Sequence, residues 1–134
     1  MYRTLLFAPG SRPELLVKSQ LGEADALIFD LEDSVTQAAK AQARQNIGEV
    51  LAGGLKKPMF LRINHPASGD YLSELQVLVH AKGLQNVAGV ILPKAQDAQA
   101  IRHIDDALSN VEPTMGLEDG IMRCLTLIAT WVGL

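Results

Sequence analysis

The chain has 134 residues, of which 48% are hydrophobic and 20% are charged. This composition is typical of a globular protein and excludes a disordered one. The length fits one domain with its own hydrophobic core. The formal net charge of −3 gives no reason to expect nucleic acid or an anionic membrane as a partner. No apolar run approaches the roughly 18 residues that a membrane helix needs.

The cysteine content bears on the compartment. Cys124 is the only cysteine, so no internal disulfide can form, which suits a reducing cytosol. The N-terminus shows no signal peptide, because its short apolar run stops at Pro9-Gly10. We therefore expect a cytoplasmic protein.

The first predicted unit is a strand followed by a helix. Residues 3–8 form a short apolar run that Pro9-Gly10 closes, which favours a strand. Ser11 is the predicted N-cap of the helix, and Pro13 suits its first turn. Gly22 is its predicted end.

The second unit begins with a strand that ends in carboxylates. The strand Ala26–Asp30 is apolar up to its last residue, as expected for a strand buried on both faces of a parallel sheet. Asp33 and Ser34 are candidate caps for a helix over about residues 36–51. Gly53 follows that helix and stops it.

Two further units follow. Residues 58–64 predict a third strand, and a helix runs from Asp70 to Gly83. Residues 87–92 predict a fourth strand, and the apolar spacing over residues 97–108 predicts an amphipathic helix.

The C-terminal tail has two interpretations. Residues 121–129 favour a fifth apolar strand, and a helix from Asp119 onward is the alternative.

The spacing of the predicted strands defines the fold class. They begin near residues 3, 26, 58, 87 and 122. Strands alternating with helices in units of about 30 residues indicate a parallel sheet with right-handed crossovers. Periodicity alone favours an open doubly wound sheet, because a (β/α)₈ barrel needs ~200 residues or more. No G-x-G-x-x-G follows the first strand, so a dinucleotide site of that type has no support.

The ends of the predicted strands bring polar residues to one edge of the sheet. Parallel α/β proteins place their chemistry at this carboxyl edge. An arginine among carboxylates can bind a small acid bidentately, and the carboxylates can orient the arginine or help to hold a divalent cation. An ion pair from the arginine to Asp30 or Glu32 is the plain structural interpretation, and it is compatible with substrate binding. The residues at this edge are Arg12, Asp30, Glu32, Asp33, Arg62, Asn64 and Lys94.

Segments at these strand ends resemble the citrate lyase β-subunit family, the HpcH/HpaI aldolase/citrate lyase group that includes malyl-CoA and citramalyl-CoA lyases. The resemblance covers nearly the whole chain, and the segments occur in the family's order. They are RTLLFAPGSRPELL at residues 3–16, GEADALIFDLEDSV at 22–35, the helix with Lys40 and Arg44, LRIN at 61–64 and GVILPK at 89–94.

The resemblance implies a fold and an activity. The fold is a (β/α)₈ TIM barrel of the pyruvate-kinase-like type, of which residues 1–134 make one partial domain of about five units out of eight. The activity is Mg²⁺-dependent cleavage of a carbon–carbon bond in a citryl-, malyl- or citramalyl-type 3-hydroxyacyl thioester, which yields a keto acid and an acetyl thioester. The implied partners are CoA or an acyl-carrier thioester, a small keto acid, and copies of the chain in a homo-oligomer (a trimer in relatives) or other lyase subunits.

The resemblance also assigns roles to residues. Arg62 matches the arginine that holds the keto acid, and Asp30, Glu32 and Asp33 match the acidic cluster beneath it. These four are the candidate catalytic residues. The candidate substrate and CoA contacts are Phe7, Arg12, Lys18, Arg62, Asn64 and Lys94.

The chain departs from the family at the metal. Relatives bind Mg²⁺ through a glutamate at the position of Ala129, and a methyl group cannot coordinate a cation. The second family ligand lies beyond Leu134, so this chain supplies no metal ligand. A metal-free module that binds a CoA thioester and a keto acid, or an accessory subunit, is therefore the alternative to a lyase. A non-functional gene fragment is the third hypothesis.

Overall fold

The computed structural model describes residues 3–80, 86–93, 98–111 and 123–127. Strands and helices alternate through these residues, as the spacing predicts. The strands are β1 Leu5–Pro9, β2 Ala26–Asp30, β3 Met59–Arg62, β4 Val87–Pro93 and β5 Arg123–Leu127. The α-helices are α1 Pro13–Ser19, α2 Lys40–Ala52, α3 Tyr71–Gln76 and α4 Ala98–Val111. Short 3₁₀ segments lie at Gln37–Ala39, Pro66–Ser68 and Val77–His80.

The strands form one parallel sheet in sequential order. The order is β1-β2-β3-β4-β5, and every neighbouring pair is parallel. In a doubly wound sheet the order reverses partway, where the chain crosses to the other side. The sequential order therefore shows that the doubly wound interpretation is wrong for this chain.

The two faces of the sheet have different neighbours. One face packs against the helices in a single large core cluster. That cluster includes Leu27, Phe29, Met59, Leu61, Val90 and Leu92 from the strands and Leu16, Ala43, Ile47, Leu51, Leu75, Leu78, Ile104 and Leu108 from the helical segments. On the other face, the described residues form a small cluster of strand residues, Ile28, Phe60 and Ile91. A sequential parallel sheet with helices on one face is a sector of a (β/α)₈ barrel wall. This confirms the fold class that the family resemblance implies.

Two predicted helix caps are wrong. The N-cap position of α1 is Arg12, without a side-chain cap bond, so Ser11 does not cap it. The 3₁₀ segment before α2 starts after Thr36. Asp33 and Ser34 therefore do not cap this helix, because the Ser34 N–H and hydroxyl both donate to Asp30 instead.

Two helices are shorter than predicted. Bonds from Gln20 N–H to the Val17 carbonyl (3.2 Å) and from Leu21 N–H to the Lys18 carbonyl (3.0 Å) tighten the end of α1. This i→i−3 pattern closes the helix at Ser19, before Gly22. Helix α3 ends at Gln76 and continues only as 3₁₀; the predicted end at Gly83 lies outside the described residues.

The fifth strand is confirmed over Arg123–Leu127, where the helical alternative is wrong. It pairs with β4 in the register Gly89 to Arg123 and Pro93 to Leu127. The other residues of the predicted 121–129 strand lie outside the described residues. None of the helices in the described part of the chain has the length and apolarity needed to cross a bilayer.

The Gly10 turn lies tight against the end of β2. Its N–H donates to the Asp30 carbonyl at 2.8 Å, and its own carbonyl accepts from Asn46 at 3.0 Å. A Cβ at this position would lie 2.9 Å from the Asp30 carbonyl oxygen and 2.9 Å from Ile47 Cδ1. There is no room for a side chain, so the glycine lets the β1–α1 turn reach the end of the neighbouring strand.

We expect Gly10→Ala to lower the free energy of unfolding by roughly 1–3 kcal/mol, because overpacking forces shifts in the backbone. Urea unfolding measures the loss. Gly53→Ala is the matched control, since its Cβ would lie no closer than 3.5 Å to the Val50 carbonyl oxygen. Equal losses in the two variants would contradict the steric argument.

Candidate functional site

An ion pair joins the carboxyl ends of two neighbouring strands. Asp30 ends β2, Arg62 ends β3, and the two residues are register partners. Arg62 Nε and Nη2 donate to Asp30 Oδ1 and Oδ2, both at 2.6 Å. The side chains of Arg62 and Asp30 are 15% and 1% exposed. The pair is therefore bidentate, with Asp30 fully buried and Arg62 partly buried.

The loop after β2 supplies further donors to Asp30. Its Oδ1 accepts from the Glu32 N–H at 2.9 Å, and its Oδ2 accepts from the Ser34 N–H at 2.9 Å. The Ser34 hydroxyl also donates to Oδ2. Burial by itself would raise the pKa of Asp30, but the hydrogen bonds from Arg62, Ser34 and Glu32 outweigh it and hold that pKa below its ordinary value. Asp30 is thus kept as an anion that orients Arg62.

Arg62 has two further neighbours. Its guanidinium carbon lies 4.8 Å from the centroid of the Phe7 ring, a cation–π contact. Glu32 Oε1 lies 3.8 Å from Arg62 Nε. Burial alone would lower the pKa of Arg62, but Asp30 and the charges of Glu32 and Asp33 raise it above its ordinary value. A guanidinium has five N–H donors, and the Asp30 pair engages Nε and Nη2. The outer edge with Nη1 is the part that can take a second carboxylate.

The charge of this cluster limits what binds to it. Three carboxylates (Asp30, Glu32 and Asp33) surround the one guanidinium of Arg62. An anionic ligand at Arg62 therefore meets a surplus of negative charge, and close like charges repel. Tight binding of a small acid needs a further positive group, from a cation or from residues outside the described ranges.

A second, buried polar network lies next to the Asp30–Arg62 cluster and is joined to it through the Leu31 carbonyl. Lys40 Nζ donates to Asn64 Oδ1 at 3.0 Å, and Asn64 N–H donates to Glu74 Oε1 at 2.9 Å. The Asn64 side-chain amide donates to Glu74 Oε2 as well. Lys40 is 9% exposed and Glu74 is fully buried. Burial raises the pKa of Glu74 to about 7, against the lowering effect of the Asn64 bonds.

Sequence reasoning assigned no role to Lys40 or Glu74. The signal for Glu74 is its position: it precedes the buried Leu75 and lies four residues before the buried Leu78, so it falls beside the apolar face of the helical segment. An acid there needs buried partners. For Lys40 no local signal exists, because its acceptors come from the β2–α2 loop and from Asn64, which follows β3.

The structure brings together some of the predicted site residues. Phe7, Asp30, Glu32, Asp33 and Arg62 form the cluster described above. Asn64 lies beneath it and is 8% exposed, with its side chain engaged by Lys40, Leu31 and Glu74.

The other predicted contacts lie apart from the cluster. Arg12, whose side chain is 60% exposed, pairs with Glu14 at the start of α1. Lys18 is exposed in the last turn of α1, a helix that runs away from the carboxyl edge of the sheet. Lys94 lies outside the described residues.

The described residues do not fit a magnesium ion. They contain no group of three or more His, Cys, Asp or Glu side chains that could hold a metal. Both oxygens of Asp30 are already engaged by Arg62, Glu32 and Ser34. Position 129, where the family resemblance places a ligand, lies outside the described ranges.

The fold and the site define a class. A sequential parallel sheet with helices on one face, and with a partly buried arginine and acidic residues at its carboxyl edge, is the wall of a (β/α)₈ barrel. A model of the HpcH/HpaI aldolase/citrate lyase family matches residues 3–134. The chain therefore belongs to that family.

Curated relatives agree. The citrate lyase subunit β of Haemophilus influenzae is 32% identical, over 98% of this chain and 45% of that protein. The L-malyl-CoA/β-methylmalyl-CoA lyase of Cereibacter sphaeroides is 34% identical, over 85% of this chain and 36% of that protein. The chain spans less than half the length of these relatives.

Solved structures support the fold. The citrate lyase β subunit of Mycobacterium tuberculosis, complexed with oxaloacetate and magnesium, matches with a TM-score of 0.61 and 32% identity, over 74% of this chain and 41% of that one. The malate synthase of Haloferax volcanii, in its magnesium/glyoxylate complex, matches with a TM-score of 0.79 and 15% identity, over 96% of this chain and 42% of that one. At that identity the malate synthase shows the shared fold alone.

Proposed function

We propose that this chain carries the keto-acid side of a carbon–carbon lyase that cleaves a citryl-, malyl- or citramalyl-type thioester. Residues 1–134 would form one partial barrel domain of that enzyme. The observation that carries the proposal is the buried, bidentate Asp30–Arg62 pair at the carboxyl edge of the sheet. The family to which the chain belongs supports the reaction class.

In this proposal Arg62 binds the carboxylate of the keto acid. Asp30 holds the guanidinium plane through Nε and Nη2, and the Phe7 ring lies against it, so the outer edge of Arg62 is preorganised before the ligand arrives. Glu32 lies beside the same guanidinium, and the charge of Asp33 acts on it as well. Asn64 acts from beneath the cluster, because its side chain is buried.

The bond cleavage is a retro-aldol or retro-Claisen step. A base removes the proton of the substrate's 3-hydroxyl group, the carbon–carbon bond breaks, and the electron pair leaves with the acyl thioester as an enolate. The hydroxyl carbon becomes the carbonyl carbon of the 2-oxo acid, and the enolate takes up a proton to give the acetyl thioester. Arg62 pairs with the carboxylate next to the new carbonyl group.

Any turnover of citryl-, malyl- or citramalyl-CoA by the purified chain is expected to be lost in Arg62→Ala and retained in Arg102→Ala. Both variants remove an arginine, but Arg102 is exposed on α4, a helix that carries none of the candidate substrate contacts. The assay follows release of the keto acid with and without Mg²⁺. Turnover in the parent that survives Arg62→Ala would overturn the assignment of Arg62.

A metal-free binding module is the second candidate. The described residues contain no metal-holding group, which favours it over a self-sufficient lyase. Calorimetry with oxaloacetate and acetyl-CoA separates the two: a binding module gives heat with its ligand and no turnover. The cluster has surplus negative charge, and a Mg²⁺ ion bound to oxaloacetate would supply the missing positive charge. We therefore expect oxaloacetate to bind more tightly when Mg²⁺ is present.

A further inference from the structure

One peptide group belongs to both polar networks. The group between Leu31 and Glu32 donates its N–H to Asp30 Oδ1 at 2.9 Å. Its carbonyl accepts from the side-chain amide of Asn64 at 2.9 Å and from Lys40 Nζ at 3.1 Å. The N–H end thus contacts the Asp30–Arg62 pair, while the carbonyl end contacts the Lys40–Asn64–Glu74 network. A rotation of this peptide group would break bonds on both sides.

Neighbouring backbone groups strengthen the link. Lys40 Nζ also donates to the carbonyl of Glu32 at 3.2 Å, so it bonds two consecutive carbonyls of the loop. The Leu31 N–H donates to the carbonyl of Arg62 at 2.9 Å. Lys40 therefore fixes the backbone on both sides of Glu32. The Glu32 side chain points the other way, with its Oε1 3.8 Å from Arg62 Nε.

The hydrogen-bond directions in the network follow from chemistry. Lysine only donates, so Asn64 turns its Oδ1 towards Lys40. Its amide nitrogen then faces Leu31 and Glu74, where it donates to both. In its ionised form, Glu74 accepts at both oxygens, one bond coming from the Asn64 backbone N–H and one from the Asn64 side-chain amide.

We propose that Glu74 is a positioning residue for the site: through Asn64 and Lys40 it fixes the peptide group between Leu31 and Glu32, and with it the orientation of the Asp30–Arg62 pair. Glu74 lies on α3 and contacts Asn64 rather than the cluster itself. Only the ligand-binding readout below rests on the proposed function, because the spectroscopic readout concerns the chain alone.

The test replaces one acceptor oxygen by a donor. In Glu74→Gln the new amide nitrogen must face either the backbone N–H or the side-chain amide nitrogen of Asn64, because the two Glu74 oxygens accept from these two donors. Turning the Asn64 side chain over would set its amide nitrogen against Lys40. At pH 8 we expect the NMR signals of the Glu32 N–H and the Arg62 Nε–H to shift, while signals of distant residues such as Leu108 stay in place. The dissociation constant for oxaloacetate should rise about tenfold, the usual scale for one unsatisfied buried polar group.

Glu49→Gln is the matched control. It makes the same substitution on the exposed surface of α2, where Glu49 accepts from Gln45 at 3.3 Å. We expect it to leave the Glu32 and Arg62 signals and the oxaloacetate affinity unchanged. If Glu74→Gln does not fold, Glu74→Asp keeps two acceptor oxygens on a shorter side chain and should shift the same two signals.

The outcomes are separable. Folded Glu74→Gln protein with unmoved Glu32 and Arg62 signals would overturn the positioning role, even if the variant were less stable. If Glu74→Gln shifts the Glu32 and Arg62 signals but the parent chain binds no oxaloacetate, the result would support the positioning role and count against the proposed function.

Discussion

The Arg62→Ala variant is expected to lose about 3–5 kcal/mol of unfolding free energy at pH 7, the usual cost of removing one partner of a buried ion pair. Asp30 is 0% exposed, so its carboxylate would stay buried without its main counter-charge. The Ser34 and Glu32 donors remain, but they carry no full positive charge. Urea unfolding, followed by circular dichroism, measures the difference from the parent.

The loss should depend on pH with a definite sign. In the parent, the pKa of Asp30 is held below its ordinary value. Asp30 therefore contributes stability above its unfolded pKa of about 4, and this contribution is lost as pH falls through the lower folded pKa. Without Arg62, burial raises the pKa of Asp30. The deficit of Arg62→Ala should therefore shrink as pH falls towards about 4.

Arg12→Ala is the control for this experiment. It removes a surface pair with Glu14, and such pairs contribute only about 0–1 kcal/mol. A loss in Arg62→Ala no larger than that in Arg12→Ala would show that the Asp30–Arg62 pair does not stabilise the fold.

The second large effect concerns Glu74. Its folded-state pKa is raised to about 7 from the ordinary 4.5, so the folded chain binds this proton more tightly than the unfolded chain. The protonated carboxyl contributes stability that is fully present below about pH 4.5 and is lost as pH rises through about 7. At roughly 1.4 kcal/mol per unit of pKa, the full change is about 3 kcal/mol.

Unfolding free energies measured from pH 5 to pH 8 test this. We expect the parent to lose stability relative to Glu74→Gln over this range, because glutamine does not titrate. Glu49→Gln should follow the parent, since Glu49 is exposed. Parallel pH curves for the parent and Glu74→Gln would contradict a raised pKa at Glu74.

The strand ends made the main cluster predictable from sequence. An apolar run followed by Asp30, and another followed by Arg62, predict two buried parallel strands, and parallel strands end at the same edge of a sheet. The pairing of these two residues follows from that rule once β2 and β3 are neighbours. An ion pair from Arg62 to Asp30 or Glu32 is the plain structural interpretation of the sequence; the structure shows that the pair is with Asp30 and bidentate. The substrate role of Arg62 stays a prediction.

The buried network was not predictable in the same way. Asn64 follows a strand and was placed among the substrate contacts, yet its side chain is buried between Lys40 and Glu74. These three residues come from separate parts of the chain: Lys40 lies on α2, Asn64 follows β3, and Glu74 lies on α3. Their contacts depend on how the helices pack against the sheet, which local patterns do not contain.

By itself, the sequence determined the alternation of strands and helices, the burial of β2 and the position of Asp30 and Arg62 at the carboxyl edge, because hydrophobic periodicity and strand ends are local properties. Family motifs added the barrel and the lyase class. Only the tertiary structure decided that the sheet is sequential with helices on one face, since strand spacing is the same in a doubly wound sheet. It alone decided that Ser34 donates to Asp30 instead of capping a helix, and that Glu74 bonds to Asn64 beneath the site. The Ser34 bonds depend on the conformation of the loop after β2, and the Glu74 bonds on how α3 packs against the sheet.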